Sequence, residues 1–163
     1  SRGDIAALND SPAHHLRRME ETTEAALDVL PEEIAQEKTN AFELAEKYLN
    51  TPYLWGGKAT NGIDCSGLVQ SVFRMKGLNL PRDAYQQVEL GESLNFVEEA
   101  EAGDLAFFDN EEGKIIHVGI LLNNEQIIHA SGSVRIDKFD HYGIFNCDIK
   151  KYSHTLRVIK RVL

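Results

Sequence analysis

Two neighbouring stretches, Thr51-Pro52-Tyr53-Leu54-Trp55-Gly56-Gly57 and Asp64-Cys65-Ser66-Gly67, decide how this chain is read. The first is rich in turn formers. The second opens a run from Ser66 to Lys76 in which Leu68, Val69, Val72, Phe73 and Met75 give an apolar helical face. Cys65 is therefore predicted to stand where a loop becomes a helix. Unpaired backbone N–H groups and the positive end of the helix dipole favour an anion at that point. A thiol so placed is expected to lose its proton more easily than a free cysteine, whose pKa is about 8.5. Gly67 leaves room for a close approach. The pattern reads as the seat of a cysteine nucleophile, against the plainer alternative of a small buried apolar residue.

Outward from this centre, Asn40 and Glu43 form a capping-box pattern ahead of a helix over Ala41 to Leu49. Residues 1–40 differ from the rest, with four basic and nine acidic residues and no aromatic. Leu16, Met19, Thr23, Leu27 and Leu30 fall at helical spacing, and Pro31-Glu32-Glu33 reads as a helix restart. This part is read as a helical arm, with an inhibitory pro-segment as the alternative. Downstream, Pro81 to Val88 reads as a turn and short helix. The period then changes to that of strands, over Asp104 to Phe108, Ile115 to Leu122, Gln126 to Ala130, Val134 to Asp137 and Thr155 to Val162. Helices first and an antiparallel sheet after them predict an α+β fold, with a domain over residues 41–163.

The chain has 163 residues, a formal net charge of -9 and two cysteines, Cys65 and Cys147. That length is enough for one domain with a real core. The acidic balance argues against a nucleic-acid partner, two cysteines make no disulfide framework, and no apolar run approaches the roughly 20 residues of a membrane span. The start, Ser1-Arg2-Gly3-Asp4, fits a trimmed terminus and leaves open a removed signal peptide or upstream domain.

Of the six histidines, His14, His15, His141 and His154 sit in polar surroundings and are read as solvated. His117 and His129 flank the turn Asn123-Asn124-Glu125 in a hairpin pattern. Pairing residue 121 with 125 would set the two histidines directly opposite each other on one face, with Val118, Ile120 and Leu122 forming the core-facing row. A cysteine at a helix start facing a strand histidine is a papain-like arrangement. His117 would accept the thiol proton and later protonate the leaving amine, and His129 would fix its tautomer and orientation. Two histidines capping a sheet edge, or a zinc site from Cys65, His117 and His129, are the other readings.

Tyr53-Leu54-Trp55-Gly56-Gly57, Asp64-Cys65-Ser66-Gly67, Gly103-Asp104-Leu105-Ala106-Phe107-Phe108, His117-Val118-Gly119-Ile120 and His129-Ala130 occur in that order. In this the chain resembles the NlpC-type papain-like cysteine peptidases of the bacterial cell wall, over Ala41 to Leu163. It is most similar to the γ-D-glutamyl-L-diamino-acid endopeptidases of dipeptidyl-peptidase VI type, partly through Pro81-Arg82-Asp83-Ala84 and Gln87.

The resemblance implies a papain-like fold with helices packed on a central antiparallel sheet. It makes Cys65 the nucleophile, His117 the base and His129 the orienting residue, with no metal and no cofactor. Tyr53 would support the oxyanion position, together with the Cys65 backbone N–H. Trp55, Asp64, Ser66, Arg82 and Asp83 would face substrate, Arg82 on a carboxylate, and Asp64, Asp83 and Tyr53 on a free L-alanine ammonium. The implied activity is hydrolysis of γ-D-glutamyl bonds to diaminopimelate or lysine in peptidoglycan stem peptides. A catalytically idle wall-binding module is the alternative. The implied setting is a monomer in the cell envelope, or in the cytoplasm recycling wall peptides. The dipeptidyl type carries small β-barrel domains upstream, where this chain shows the helical arm.

Overall fold

The computed structural model describes residues 40–59 and 62–163. The arm expected over residues 1–40 lies outside them, save for Asn40. Asn40 caps helix α1 (Ala41–Ala45) by accepting the Glu43 N–H at 2.9 Å, and a 3₁₀ turn (Glu46–Tyr48) carries the chain on. A small hairpin follows, β1 (Lys58–Ala59) and β2 (Gly62–Ile63). Helix α2 (Cys65–Met75) comes directly after it and ends near Gly77, which adopts φ 84°. Helix α3 is a single turn (Ala84–Gln87), shorter than the expected stretch to Val88.

The remaining strands are β3 (Glu92–Ser93), β4 (Leu105–Asp109), β5 (Ile115–Leu121), β6 (Gln126–Ser131), β7 (Ser133–Asp140), β8 (Gly143–Asn146) and β9 (Lys151–Arg161). All neighbours are antiparallel, in the order β3-β9-β4-β5-β6-β7-β8. Strand β8 also pairs with β9, so six strands close into a barrel and β3 extends one of them. The expected layout of helices packed on a central antiparallel sheet is met in part: the helices pack on an antiparallel sheet, but that sheet closes on itself. The fold is sheet-dominated, and its few helices lie against one side of a closed barrel. Closure came from β8, which the sequence reading did not anticipate, and from β9, which begins at Lys151 rather than Thr155.

Closure gives β4, β5 and β6 two apolar faces. Ala106, Leu121, Ile127, Phe139, Ile144 and Ile159, one from each barrel strand, fill the interior. On the outer face, Leu105, Phe107, Val118, Ile120, Ile128 and Ala130 pack against Phe42 and Leu44 of α1 and Leu68, Val69, Val72 and Phe73 of α2. Each such side chain is worth about 1.5–3 kcal/mol when fully buried. The apolar face of α2 thus fixes the helix on the barrel wall, and with it the place of its first residue.

The hairpin register differs from the expected one by two residues. Ile120 pairs with Ile128 and Leu121 with Ile127, and the Leu122 N–H donates to the Gln126 carbonyl at 3.0 Å. The Asn123 side chain accepts the N–H groups of Glu125 and Gln126, which fixes the three-residue turn at 123–125 rather than at 122–124. An even shift keeps every side chain on its face. His117 and His129 therefore share a face as expected, but they are diagonal neighbours, and that face is the barrel interior.

Candidate active site

Asp64 is the N-cap of α2, accepting the Gly67 N–H at 2.7 Å. Its other oxygen accepts the Gly56 N–H at 2.9 Å, tying the preceding loop to the helix start. That loop turns at Leu54–Gly57, where the Gly57 N–H reaches the Leu54 carbonyl and Gly56 adopts φ 78°, a conformation suited to glycine. Trp55 projects from the turn and is 86% exposed. Tyr53 is strapped down on both sides, its N–H on the Gly132 carbonyl and its backbone bridged to Ile63. Burial raises the Tyr53 phenol above its ordinary value, and the nearby charges of Cys65 and Asp64 add to this. Its hydroxyl accordingly lies within electrostatic reach of the sulfur.

Arg82 closes the other side of this corner. Its two terminal nitrogens meet the two Asp64 oxygens at 3.1 and 2.8 Å, and one also donates to the Ser66 hydroxyl at 3.0 Å. Arg82 and Asp64, expected to face different ends of a substrate, are each other's partners. With two backbone donors as well, the Asp64 carboxylate is close to its acceptor capacity. Ser66 is buried with its hydroxyl engaged by Arg82, whereas Asp83 is exposed at the start of α3. Gln87, fully buried, donates to the carbonyls of Ser66 and Pro81 and joins α3 to α2.

Cys65 is reached through an opening in the barrel wall. The N–H groups of β5 alternate between its two neighbours: Leu121 donates to Asp104, beside β4, and Leu122 to Gln126, at the head of β6. Val118 has the same parity as Leu122, and its N–H points toward β6. The β5–β6 ladder, however, covers only two residue pairs and ends at Ile120 and Ile128. The Val118 N–H thereby lies outside the ladder and close enough to the Cys65 sulfur to favour its charged form. The nucleophile candidate is held one residue along β5 from His117.

Burial pushes the Cys65 thiol up, against the pull of N–H groups from Val118, Ser66 and Cys65 itself. This reverses the expectation of a thiol that ionises readily. Desolvation of the anion outweighs the helix-start donors.

His117 and His129 are buried, and His117 Nε2 lies 2.8 Å from His129 Nδ1. The contact is possible because the residue across from His129 is Gly119. A Cβ there would come within 3.0 Å of His129 Cβ and 2.6 Å of Ile127 Cδ1. His129 Nε2 in turn lies 2.7 Å from Asp137 Oδ2. Burial holds His117 well below the ordinary imidazole value, and the charges of His129 and His154 lower it further. His117 is thus a neutral base in the resting site.

His154 corrects the sequence reading, which placed it in solvent. It lies on β9, stacked on His117 with ring centroids 4.0 Å apart and planes 22° from parallel. Burial, then the charge of His129, lowers it to about 4. His141 is exposed as expected, and His14 and His15 lie outside the described residues. The apolar alternation of β9 extends back to His154 only once the strand start is known.

Ligand atoms of His117, His129 and His154 fall within 4.8 Å of one another. An imidazole binds a metal in its own plane, and two stacked rings do not aim their lone pairs at one point. His129 also has both ring nitrogens engaged. The three would have to turn and lose both hydrogen bonds to share an ion, so the set is built as a hydrogen-bonded relay.

A family model described as the NlpC/P60 family matches residues 50–150, which carry every group in this site except His154. The chain belongs to the NlpC/P60 family. It is 38% identical over 108 residues to the γ-D-glutamyl-L-lysine dipeptidyl-peptidase of Bacillus subtilis, covering 63% of this chain and 36% of that protein. It is 46% identical over 83 residues to the murein DD-endopeptidase MepS/murein LD-carboxypeptidase of Escherichia coli, covering 50% of this chain and 43% of that protein. The chain thus spans less than half the length of either relative. Among solved structures, an NlpC/P60 family protein from Bacillus cereus superposes with a TM-score of 0.62 at 25% identity, over 76% of this chain and 39% of that one. The NlpC/p60 domain of the peptidoglycan hydrolase SagA gives 0.55 at 36% identity, over 61% and 86%.

Proposed function

We propose that this chain is a cysteine peptidase module that hydrolyses γ-D-glutamyl–diamino acid bonds in peptidoglycan stem peptides. The observation that carries the reading is the relay beside the cysteine: His117, one residue from the Val118 N–H that faces Cys65, is bonded through Nε2 to His129, and His129 to Asp137. The first bond leaves Nδ1 of His117 as the nitrogen available for a proton. The dipeptidyl-peptidase relative supports the choice of bond through its name.

In this mechanism His117 Nδ1 takes the thiol proton as the sulfur attacks the γ-carbonyl carbon of D-glutamate. Because both groups are neutral at rest, proton transfer accompanies attack. The oxygen that gains charge is received by the Cys65 N–H, left without an intrahelical partner at the start of α2, and by the Tyr53 hydroxyl. The His117 imidazolium then gives its proton to the leaving amine of the diamino acid. Water, deprotonated by the same nitrogen, releases the acyl group and restores the thiol.

Trp55, at the exposed tip of its turn, is proposed to pack against the stem peptide. Asp83 and the Tyr53 hydroxyl are the groups left to receive a free alanine ammonium, since Asp64 is held by Arg82. The proposed setting is the cell envelope, with the chain acting as a monomer. No helix among the described residues is long and apolar enough to cross a membrane.

The test is digestion of defined muropeptides read by mass spectrometry, on peptides with a free N-terminal alanine and on the same peptides attached to muramic acid. Cleavage between D-glutamate and the diamino acid, abolished in Cys65→Ala, is the expected result, faster on the free peptides. Cleavage at another bond would reassign the specificity. Saturable binding without any cleavage would make the chain an idle wall-binding module.

A further inference from the structure

We propose that Asp137, on β7, is a positioning residue that sets the tautomers of both histidines and so decides which nitrogen of His117 is free to act as base. The proposal rests on the peptidase reading for its rate consequences. Its structural content stands without a substrate.

Asp137 closes the buried end of the relay. Asp137 is 6% exposed and lies on the interior face of β7, one diagonal step from His129. Burial opposes its charge, but hydrogen bonds from His129 and Arg135 outweigh it and hold its carboxyl below the ordinary value. The fork of Arg135 reaches both of its oxygens, at 2.8 and 3.0 Å, and Arg135 also engages Asn146 and Asp148. Asp137 is therefore a carboxylate, able only to accept.

The rest follows from donor and acceptor counting. At 2.7 Å from a carboxylate oxygen, His129 Nε2 must carry the proton. In a neutral imidazole the other nitrogen is then bare, so His129 Nδ1 is an acceptor. His117 Nε2, 2.8 Å away, must donate to it. His117 is left with its lone pair on Nδ1. When His117 takes the thiol proton, its imidazolium is bonded to a histidine whose far side faces the Asp137 charge, which favours the charged state. Without the carboxylate, His129 can carry its proton on Nδ1 and make His117 Nε2 the acceptor. The proton of His117 then moves to Nδ1, and the base is lost. The contribution is a choice of tautomer, of the kind that costs about 10⁴ in rate when a buried aspartate behind a catalytic histidine becomes an asparagine.

Other groups face this relay. His154 stacks on His117 from β9, Phe108 meets both rings edge-on or tilted from β4, and Arg135 faces Asp137 on its own strand. None of them hydrogen-bonds a ring nitrogen of His117 or His129, so the choice of tautomer is left to Asp137.

The experiment has a substrate-free and a kinetic arm, on the full chain and on Asp137→Asn. Nitrogen-15 NMR of the imidazoles should find His117 and His129 both protonated on Nε2 in the parent. In Asp137→Asn, His129 should shift toward protonation on Nδ1. The rate of Cys65 alkylation near neutral pH should fall at least tenfold, with circular dichroism unchanged. On the cleaved peptide, kcat should fall by a factor of 10² to 10⁴ with KM changed less than threefold. The acid limb of the residual activity should move to lower pH, because removing a negative charge makes the imidazolium harder to form. His129 protonated on Nδ1 in the parent would overturn the proposal, and so would an Asp137→Asn protein with parental alkylation and kcat. If the parent cleaves no peptide, the peptidase reading fails, while the NMR and alkylation arms still judge the tautomer assignment.

Discussion

Each side of the site ends in an aspartate–arginine pair, and the two pairs hold different things. Behind Cys65, Asp64 and Arg82 meet at 2.8 and 3.1 Å, and the carboxylate also caps α2 and pins the Gly56 turn. That pair fixes a backbone. Behind His129, Asp137 and Arg135 meet at 2.8 and 3.0 Å, and the carboxylate receives an imidazole proton. That pair fixes a proton. The same residue types thus serve geometry on one side and protonation on the other. Breaking the first should show mainly in stability, and breaking the second mainly in rate.

The largest expected effect lies where the two sides meet. Cys65→Ala should remove all measurable turnover, and His117→Ala should lower kcat by more than about 10³, because nucleophile and base act as a unit. Cys65→Ala, a small change at a packed position, should cost about 1 kcal/mol of stability, whereas His117→Ala opens a cavity and leaves His129 Nδ1 without its partner and should cost about 2–3 kcal/mol. His129→Asn should lose less, about ten- to a hundredfold, because an amide oxygen still accepts the His117 N–H. Cys147→Ala, at an exposed cysteine, should leave the rate unchanged. Peptide cleavage followed by mass spectrometry measures all four, and retained hydrolysis in Cys65→Ala would rule out the mechanism.

Next in size is the cysteine-side pair. Asp64→Ala removes an N-cap and strands the part-buried Arg82, at a cost of about 3 kcal/mol. Arg82→Lys keeps a charge but loses the two-pronged contact and the bond to Ser66, and should cost about 1–2 kcal/mol. Urea unfolding reads both. If Asp64→Ala proved no less stable than Asp137→Asn, the contrast between a backbone-fixing and a proton-fixing pair would be lost.

The two sides also differ in how far the sequence disclosed them. The cysteine side is local. Residues 51–67 and 81–88 carry its turn, its cap and its helix, and those signals act over a few residues. Even so, the partner of Asp64 was misplaced, because nothing in the spacing shows that Arg82 folds back across 18 residues. The histidine side is made by pairing between strands. Its shared face was legible because side-chain direction repeats every two residues, and the two-residue register error preserved it. What could not be read was closure. Without β8 and the early start of β9, the interior face looks like a solvated edge, so His154 appeared solvated. Arg135 and Asp137 fall inside the predicted strand Val134 to Asp137, and nothing in its spacing marks either as part of the site.

Gly119 tests that register at moderate size. An alanine there would put its Cβ 2.6 Å from Ile127 Cδ1 and 3.0 Å from His129 Cβ. Ile127 can yield at its flexible end, but His129 Cβ is fixed to β6. The overpacking should cost about 1–2 kcal/mol in stability. The push on His129 should lengthen its bond to His117 and lower kcat about tenfold. Val118→Ala, one residue away on the outer face, should cost about 2 kcal/mol of stability through lost packing, with less effect on kcat. Equal kcat losses in the two variants would mean that His129 does not lie across from Gly119.

The smallest effect separates the two sides by pH. His117 and His154 both have folded-state values below the ordinary 6.5, and His154 falls to about 4. A depressed histidine binds fewer protons folded than unfolded, so stability rises with pH and is lost as pH falls from about 6.5 toward 4. The cysteine side has no histidine to take part. His154 is partly exposed, and allowing for solvent screening its share between pH 7 and pH 5 is about 1 kcal/mol. His154→Phe removes that share and keeps a ring stacked on His117. Its urea midpoint should therefore fall less than the parent's between pH 7 and pH 5, though acid sensitivity from His117 persists. If the two proteins lose stability in parallel over that interval, His154 is not a depressed base in the folded chain, and its stacking on His117 is packing alone.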